Sequence, residues 1–230
     1  MFDPLFNLKG KRVLVTGGAG SLGTLISKAF AERGADVTVQ DLNQDRIDEV
    51  RQAITKESGK AFSIAADLSD PAECARVVSE ANQLMGGLDI VINTAGINRR
   101  KPISEVTEDD FNAIVAVNMK AIYFISQAAH PIMKAAGGGV IVNMSSLSAR
   151  YSFNTISVYA ATKAAVSSIT RSAAREWAKD KIRVNCIAPG AIATARTSAE
   201  AGDYAATWAA VVVRRSRKTW ATTSSACGAQ

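Results

Sequence analysis

Tyr159 and Lys163 have the residue types and the spacing of a proton-transfer pair, within a run at 157–163 that is typical of a helix. Positions i and i+4 share one face of a helix, so the phenol and the ammonium emerge side by side. A free tyrosine has a pKa near ~10, and lowering it to about 7 requires roughly 4 kcal/mol at ~1.36 kcal/mol per pKa unit. A neighbouring cation favours the phenolate in this way. The same spacing also fits an ordinary surface pair on an alanine-rich helix, so the surrounding residues must distinguish between these two interpretations.

Short β-branched runs alternate with longer amphipathic runs from residue 11 to about residue 187, and these elements must position the pair. Near-continuous apolar character is typical of strands buried on both faces. Strand–helix repetition with short connections predicts an α/β fold, a doubly wound parallel sheet in a single domain with helices on both faces. Ligands of such sheets bind beyond the carboxyl ends of the strands. The predicted strands are 12–16, 36–40, 61–65, 89–93, 140–144 and 182–187, and the predicted helices are about 22–33, 43–58, 70–85, 107–135 and 157–179.

A glycine-rich turn, Thr-Gly-Gly-Ala-Gly-Ser-Leu-Gly at 16–23, follows the first predicted strand and opens the first predicted helix. Glycine permits positive φ and a close approach of pyrophosphate, and the helix N-terminus offers free N–H groups to phosphates. Asp41 ends the second predicted strand, where a carboxylate can accept both hydroxyls of an adenosine ribose and repels a 2′-phosphate. No arginine or lysine in the turn offsets it. The sequence therefore predicts a Rossmann-type fold that binds NAD(H) in preference to NADP(H), although Asp41 also fits a simple turn residue.

Composition argues against several other functions. The chain has 230 residues, of which 47% are hydrophobic, with no uninterrupted apolar stretch of membrane-spanning length. The N-terminus lacks the basic and apolar regions of a signal peptide, so we expect a cytoplasmic protein. The 3 cysteines and 1 histidine have no metal-binding spacing. The net charge of +6 includes a basic loop at 99–101, but no stacking aromatic residues accompany it. Neither a metal site nor nucleic-acid binding is predicted.

Taken together, the motifs resemble the short-chain dehydrogenase/reductase family over about residues 8–197. Further residues appear in the order typical of that family: Asp67, Asn93, Gly96, Asn118, Ser146, Tyr159, Lys163, Pro189, Gly190 and Thr194. One departure is Ser21, which stands where the usual turn of this family has glycine. The resemblance implies an NAD(P)-dependent oxidoreductase that transfers hydride to or from a hydroxyl or keto group of a small molecule, assembled as a homotetramer or dimer.

The resemblance also implies roles for the catalytic residues. Tyr159 would exchange a proton with the substrate oxygen while hydride passes between the substrate carbon and the nicotinamide. Lys163 would stabilise the phenolate and hold the nicotinamide ribose, and Ser146 would stabilise charge on the substrate oxygen. Ser145 competes with Ser146 for this role, but the spacing to Tyr159 selects Ser146. Asn118 would anchor a water that links Lys163 to solvent, unless it only kinks a buried helix.

For the cofactor, the resemblance implies that Asp67 contacts the adenine, that Asn93 and Gly96 lie under the adenosine half, and that Thr194 holds the nicotinamide amide. Asn93 fits equally well as a residue that ties neighbouring strands together. The complete set of expected cofactor contacts is Gly17, Gly20, Ser21, Leu22, Gly23, Asp41, Asp67, Leu68, Asn93, Ala95, Gly96, Tyr159, Lys163, Pro189, Gly190, Ile192 and Thr194.

The loop at 95–102, Ala-Gly-Ile-Asn-Arg-Arg-Lys-Pro, bears on the substrate. A similar arginine-rich stretch occurs in family members that resemble gluconate 5-dehydrogenase. Arginine binds carboxylates through paired N–H donors, so Arg99 and Arg100 would suit a sugar acid such as gluconate or 5-ketogluconate. A solvated basic loop fits the same residues. A 3-oxoacyl or generic ketone reductase is therefore the alternative.

Residues 198–230 form an atypical tail, whereas residues 1–197 are expected to form the catalytic domain. The family pattern would continue with a substrate lid, a helix and a seventh strand, and none of these is recognisable. A reading-frame slip or a truncation would explain the tail. Loss of the seventh strand would expose a sheet edge and weaken the oligomer. A protein that binds dinucleotides but is catalytically impaired is therefore the second function class.

Overall fold

Parallel strands form the centre of the protein, and each lies within one residue of its predicted limits. The computed structural model describes residues 7–57, 59–151, 153–190 and 192. The strands are β1 (Arg12–Thr16), β2 (Asp36–Asp41), β3 (Lys60–Ala65), β4 (Ile90–Asn93), β5 (Gly139–Met144) and β6 (Ile182–Ile187). They form one 6-stranded sheet in the order β3-β2-β1-β4-β5-β6, and every pairing is parallel. This is the strand order of a Rossmann-type fold, so the predicted fold is confirmed.

The helices begin where local capping chemistry favours a start. Asn43, Asp70 and Thr107 accept hydrogen bonds from first-turn amides of three helices. Thr107 and Asp110 form a capping box. The helices are α1 (Ser21–Glu32), α2 (Gln44–Lys56), α3 (Pro71–Met85), α4 (Glu108–Val115), α5 (Ala121–Ala135) and α6 (Ser157–Trp177).

One helix departs from its predicted form. The sequence predicts a continuous helix at 107–135, but a π-helical turn at Ala116–Lys120 separates α4 from α5. Such turns are rare and occur often at functional sites, because they redirect the side chains that follow. Here the turn contains Asn118.

Alternating side chains of the strands build two apolar layers, one on each face of the sheet. Val13 and Val15 pack with residues of α1 and α2, including Ile47. Leu14, which points to the opposite face, packs with residues of α3 and α5, including Ile125. All of these side chains are fully buried. The sheet is therefore covered on both faces, as a doubly wound fold requires.

The chain separates into two compact units, residues 1–189 and residues 190–230. The six strands and six α-helices of the described residues belong to the first unit. Of the second unit, the described residues are 190 and 192, so the predicted boundary at residue 197 lies outside the described part. Within the described part, no helix combines the length and the apolar character needed to cross a bilayer. The cytoplasmic location stays a prediction.

Candidate active site

The turn between β1 and α1 has close backbone contacts that only glycine permits. Gly17 has a φ of +62°, and a Cβ there would lie 2.7 Å from backbone atoms of Ala95. A Cβ on Gly23 would overlap the carbonyl oxygen of Gly17, so α1 packs directly against the turn. Ser21 is the exposed first residue of α1, and a side chain is accommodated there without loss of packing. The departure from glycine at this position thus leaves the turn intact.

Helix α1 begins without a side-chain cap, in contrast to α2, α3 and α4. Its N-cap residue is Gly20, and no described side chain bonds to its first turn. First-turn N–H groups have no partner within any α-helix, so the amides of Ser21, Leu22 and Gly23 remain available as donors. They lie at the positive end of the helix dipole, at the carboxyl edge of the sheet. This donor set fits the phosphates of a dinucleotide.

Asp41 ends β2 beside this turn, and both of its carboxylate oxygens are held by backbone amides. Oδ2 accepts from the N–H of Ala19 at 3.1 Å, and Oδ1 accepts from the N–H of Leu42 at 2.8 Å. The carboxylate is therefore fixed next to the glycine turn, in the position expected of a group that recognises ribose hydroxyls.

The other residues expected at the adenosine end lie at the same sheet edge but differ in exposure. Asp67 follows β3, is exposed, and accepts from the N–H of Ser69 at 2.9 Å. Leu68 is 6% exposed and packs in the core. Gly96 follows β4 and is exposed, whereas the preceding Ala95 packs against the core. Asp67 and Gly96 are thus accessible to a ligand, while Leu68 is mainly a packing residue.

Tyr159 and Lys163 lie on one face of α6, as their spacing predicts. The Nζ atom of Lys163 lies 5.5 Å from the centroid of the Tyr159 ring. Lys163 is 3% exposed, and its Nζ donates to the carbonyl oxygen of Met144 at 2.8 Å. Burial lowers the pKa of Lys163 to about 8. At pH 7 the side chain still carries its proton for most of the time, so a cation stands beside the phenol.

The two serines after β5 have different partners, which distinguishes their roles. Ser145 is buried, and its Oγ donates to the carbonyl oxygen of Lys163 at 2.9 Å and lies 2.7 Å from the Oγ of Ser167. Ser145 thereby holds α6 against β5. The Oγ of Ser146 accepts from the N–H of Ser148 at 3.2 Å and from its Oγ at 2.9 Å. With both acceptor positions occupied, the hydroxyl of Ser146 is oriented to donate its own proton.

Asn118 joins the π-helical turn to two other parts of the site. Its Oδ1 accepts from the N–H of Ile97 at 2.7 Å, and its Nδ2 donates to the carbonyl oxygen of Ile97 at 2.9 Å and to the Oγ1 of Thr162 at 3.4 Å. A Cβ on Gly96 would lie 3.3 Å from the Oδ1 of Asn118 and 3.6 Å from the Nζ of Lys163. Both polar groups therefore border the same glycine, and Asn118 does more than kink a helix.

Asn93 connects strands below the site. It is 1% exposed, and its Nδ2 donates to the Oδ1 of Asn143 at 2.9 Å and to the Oγ of Ser126 at 3.4 Å. Its Oδ1 accepts from the Oγ1 of Thr16 at 3.3 Å. The side chain thus joins β1, β4, β5 and α5, which agrees with the interpretation of Asn93 as a residue that ties strands together.

The basic loop after β4 is largely neutralised by the start of α4. Arg99 forms ion pairs with Asp109 and Asp110, and the Nζ of Lys101 lies 2.6 Å from the Oδ2 of Asp110. Asp110 is buried, and its hydrogen bond from Lys101 holds the pKa of its carboxyl well below the usual range. Arg100 is exposed. Of the two arginines predicted to bind substrate, Arg99 is thus engaged by this carboxylate pair.

The remaining predicted contacts follow β6. The carbonyl oxygen of Pro189 accepts from the N–H of Leu147 at 2.9 Å, which ties the end of β6 to the segment after β5. Gly190 and Ile192 belong to the second unit. Thr194 and the tail at 198–230 lie outside the described residues.

Comparisons with known proteins agree with this architecture. A family profile for short chain dehydrogenases matches residues 11–205. The chain belongs to the short-chain dehydrogenase family. Members of this family are oxidoreductases that bind nicotinamide cofactors and act on alcohol or carbonyl groups.

Three relatives illustrate the degree of similarity in sequence and structure. A tropinone reductase homolog from Arabidopsis thaliana is 37% identical over 198 residues, which cover 84% of this chain and 63% of that relative. The chain thus spans less than two thirds of that protein. A gluconate 5-dehydrogenase from Gluconobacter oxydans is 34% identical over 193 residues, 84% of this chain and 75% of the relative. A crystal structure of a gluconate 5-dehydrogenase from Burkholderia cenocepacia, in complex with NADP and tartrate, has a TM-score of 0.82 and 32% identity and covers 87% of this chain and 78% of that chain.

Two residues at this edge were not expected from the sequence. The Nη2 of Arg46 donates to the carbonyl oxygen of Ala19 in the glycine turn at 2.9 Å. The Oγ1 of Thr162 donates to the carbonyl oxygen of Tyr159 at 2.7 Å and accepts from Asn118. Arg46 follows a recognisable helix cap at Asn43, and Thr162 precedes Lys163. The contact of each depends on a segment distant in the chain, which no local pattern indicates.

Proposed function

We propose that this protein transfers hydride between a nicotinamide cofactor and a carbon that bears a hydroxyl or keto group, in a small polar substrate. The observation that carries the proposal is the placement of the Lys163 ammonium 5.5 Å from the centre of the Tyr159 ring, on a buried face of α6. The neighbouring sheet edge has the glycine turn and the uncapped start of α1, which fit the cofactor.

The protein residues divide the proton chemistry among them. Tyr159 gives a proton to the substrate oxygen in reduction and accepts it in oxidation. Lys163 lowers the free energy of the phenolate through its charge, which burial strengthens because little solvent screens it. Ser146 donates to the same substrate oxygen as negative charge develops there. The nicotinamide supplies or accepts the hydride when it is bound.

Asn118 supports this arrangement. Its amide is fixed by three hydrogen bonds to Ile97 and Thr162, and its Oδ1 and the Nζ of Lys163 border Gly96 together. We assign Asn118 to the orientation of groups around Lys163, including a water that relays protons from solvent to that side chain.

For the cofactor, we propose that NAD(H) is used in preference to NADP(H). The support is the fixed carboxylate of Asp41, whose two oxygens are held by the amides of Ala19 and Leu42. A carboxylate in that position accepts from ribose hydroxyls and repels a 2′-phosphate. The relative from Burkholderia cenocepacia was solved with NADP, so the preference in this chain rests on Asp41 itself.

For the substrate, we propose a sugar acid such as gluconate or 5-ketogluconate. Two of the relatives are gluconate 5-dehydrogenases, and one of them was solved with the small dicarboxylate tartrate. Both arginines of the basic loop are assigned to the carboxylate of the substrate, and the charge of Arg99 is partly balanced by Asp109 and Asp110. A generic ketone or 3-oxoacyl reductase is the second candidate, favoured by the similarity to a tropinone reductase homolog.

We further propose that the protein forms a homodimer or homotetramer. Phe111 on α4 and Tyr123 on α5 are 50% and 48% exposed, although both are large and aromatic. Exposed side chains of this kind, on helices that follow one another, suit a contact between subunits.

The test is a pair of tyrosine variants. Tyr159→Phe should lower kcat/KM by about 10²- to 10⁴-fold, because it removes the general acid and base, while NADH affinity stays within about twofold. Tyr123→Phe removes an equivalent hydroxyl but keeps the exposed ring that is assigned to the subunit contact, so it serves as the control. Assays use gluconate, 5-ketogluconate, a 3-oxoacyl ester and simple ketones, with NADH fluorescence as the binding measurement.

Retained turnover in Tyr159→Phe would contradict the catalytic assignment. If the natural chain binds NADH but turns over none of these substrates, the catalytically impaired alternative is favoured instead.

A further inference from the structure

Arg46 is held against the glycine turn by the way in which α2 begins. The side chain of Asn43 accepts from the N–H of Arg46 at 3.0 Å and thereby fixes the first turn of the helix. From that position the Nη2 of Arg46 donates to the carbonyl oxygen of Ala19 at 2.9 Å. The guanidinium is thus placed beside the turn by a hydrogen bond to backbone and not by a carboxylate.

The charge of Arg46 is not neutralised by any ion pair within the described residues, which distinguishes it from Arg12 and Arg51. Arg12 pairs with Asp89, and Arg51, on the same helix as Arg46, pairs with Asp48. Arg46 is exposed. A guanidinium has five N–H donors, and the bond to Ala19 uses one of them. Both the charge and most donors remain available to an anion from solution.

Arg46 and Asp41 contact the two backbone polar groups of the same residue in the turn. The Oδ2 of Asp41 accepts from the N–H of Ala19, and Arg46 donates to the carbonyl oxygen of Ala19. A negative and a positive group therefore flank the place where the adenosine ribose of a dinucleotide is expected. The carboxylate suits the hydroxyls of NAD(H), whereas a guanidinium suits a phosphate because its forked donors match the phosphate oxygens.

We infer that Arg46 binds the 2′-phosphate of NADP(H), so the protein accepts both dinucleotides, with Asp41 favouring NAD(H) and Arg46 limiting that preference. The inference rests on the proposed function. It adds a residue that determines cofactor specificity and that lies outside the glycine turn, on the first turn of α2. Both oxygens of Asp41 are held by amides, so its carboxylate stays fixed beside the turn, and the guanidinium of Arg46 supplies the positive charge that attracts the phosphate.

The experiment compares Arg46→Gln with Arg51→Gln, which removes the same charge from the same helix at an ion-paired site. Affinities are measured by fluorescence for NADPH and NADH and by calorimetry for adenosine 2′,5′-bisphosphate and 5′-AMP, which isolate the contribution of the 2′-phosphate. Circular dichroism confirms that each variant is folded. Glutamine can still donate to the carbonyl oxygen of Ala19, so the turn should keep its shape.

Arg46→Gln should lower the affinity for NADPH and for the bisphosphate by about tenfold or more, relative to the affinity for NADH and 5′-AMP. A charge-assisted hydrogen bond contributes about 1.5–3 kcal/mol, and ~1.4 kcal/mol corresponds to a tenfold change in affinity. Arg51→Gln should change the ratio by less than about twofold. The inference is overturned if Arg46→Gln lowers the affinities for NADPH and NADH equally. It is also overturned if Arg51→Gln changes the NADPH-to-NADH affinity ratio as much as Arg46→Gln does. The proposed function stands in either case. Failure of the natural chain to bind either dinucleotide overturns both.

Discussion

Arg46 and Arg99 are both exposed arginines that follow the carboxyl ends of strands, but their surroundings differ. Arg46, after β2, is held by a carbonyl oxygen of the glycine turn and has no ion pair within the described residues. Arg99, after β4, is paired with Asp109 and Asp110. The cofactor end of the site therefore has an uncompensated cation, whereas the basic loop has most of its charge balanced by the start of α4.

The difference shows that the number of basic residues in a segment does not measure the charge it offers to a ligand. The loop at 99–101 has three consecutive basic residues, which in the sequence indicate a binding site for an anion. Arg99 and Lys101, however, form ion pairs with carboxylates of α4. Arg46 at the surface and Lys163 in the interior are single residues, and each donates to a backbone carbonyl oxygen and has no ion pair within the described residues.

The largest effect is expected at the buried cation. Lys163→Met should reduce turnover by about a hundredfold or more, because the phenolate of Tyr159 loses its stabilising charge. It should also alter the dependence of stability on pH. The pKa of Lys163 is lowered from 10.5 to about 8 in the folded protein, so the unfolded chain binds more protons between these values. The natural chain should therefore gain stability relative to Lys163→Met as pH rises through that window.

Urea unfolding at pH 7, 8.5 and 10 measures the difference in the free energy of unfolding between the natural chain and Lys163→Met. If this difference is constant over the pH range, or shifts against the natural chain as pH rises, burial of the ammonium does not destabilise the folded protein.

The next effect concerns the carboxylate beside Arg46. Asp41→Asn keeps an acceptor for the N–H of Ala19 but removes the negative charge. The ratio of NADPH to NADH affinity should rise by about tenfold, which corresponds to ~1.4 kcal/mol of relieved repulsion and lost ribose binding. In the double variant that also carries Arg46→Gln, the NADPH-to-NADH affinity ratio should fall again and lose much of this increase. Fluorescence titration measures the ratio, and an unchanged ratio in Asp41→Asn would mean that Asp41 does not discriminate between the cofactors.

A smaller effect is expected in the basic loop. Replacement of Arg99 and Arg100 together by glutamine should raise KM for gluconate by about three- to tenfold, whereas Arg99→Gln alone should raise it by less than about twofold, because Asp109 and Asp110 already balance the charge of Arg99. Steady-state kinetics with a neutral ketone as a second substrate separates loss of carboxylate binding from a general effect. Equal effects of the two variants on gluconate would show that Arg99 binds the substrate in spite of its pairing with α4.

The smallest effect concerns the stability of that neutralised loop. The pKa of Asp110 is lowered in the folded protein, chiefly by its hydrogen bond from Lys101. Its contribution to stability is therefore present above the pKa of an unfolded aspartate and is lost as pH falls through the lower, folded value. Asp110→Asn should be less stable than the natural chain at pH 7, with the difference shrinking in acid.

Asp109→Asn is the control, because Asp109 has an 84% exposed side chain. Its thermal unfolding should match that of the natural chain. Equal losses in the two variants would contradict the assignment of Asp110 as the group that holds the loop.

The elements of the fold could be predicted because their signals are local. Each strand is a short β-branched run, and its limits moved by at most one residue. The capping box of Thr107 and Asp110 could be predicted because its two residues are three positions apart. The spacing of Tyr159 and Lys163 placed them side by side for the same reason, since helical geometry fixes which neighbours meet.

The partners of individual side chains could not be predicted in this way. Asn93 meets Asn143, fifty residues later in the chain, and this contact exists only because β4 pairs with β5. The π-helical turn at Ala116–Lys120 has no distinct pattern in the amino-acid sequence, although the side chain of Asn118 links it to Ile97 and Thr162.

By itself, the sequence determined that this is a doubly wound protein with a glycine turn and a tyrosine–lysine pair, because periodicity, caps and short spacings act between neighbours in the chain. Only the tertiary structure decided which charges remain available: Arg46 and Lys163 meet carbonyl oxygens, and Arg99 meets carboxylates. The physical reason is that the effective charge of a group depends on what surrounds it in space, and packing brings those surroundings from distant parts of the chain.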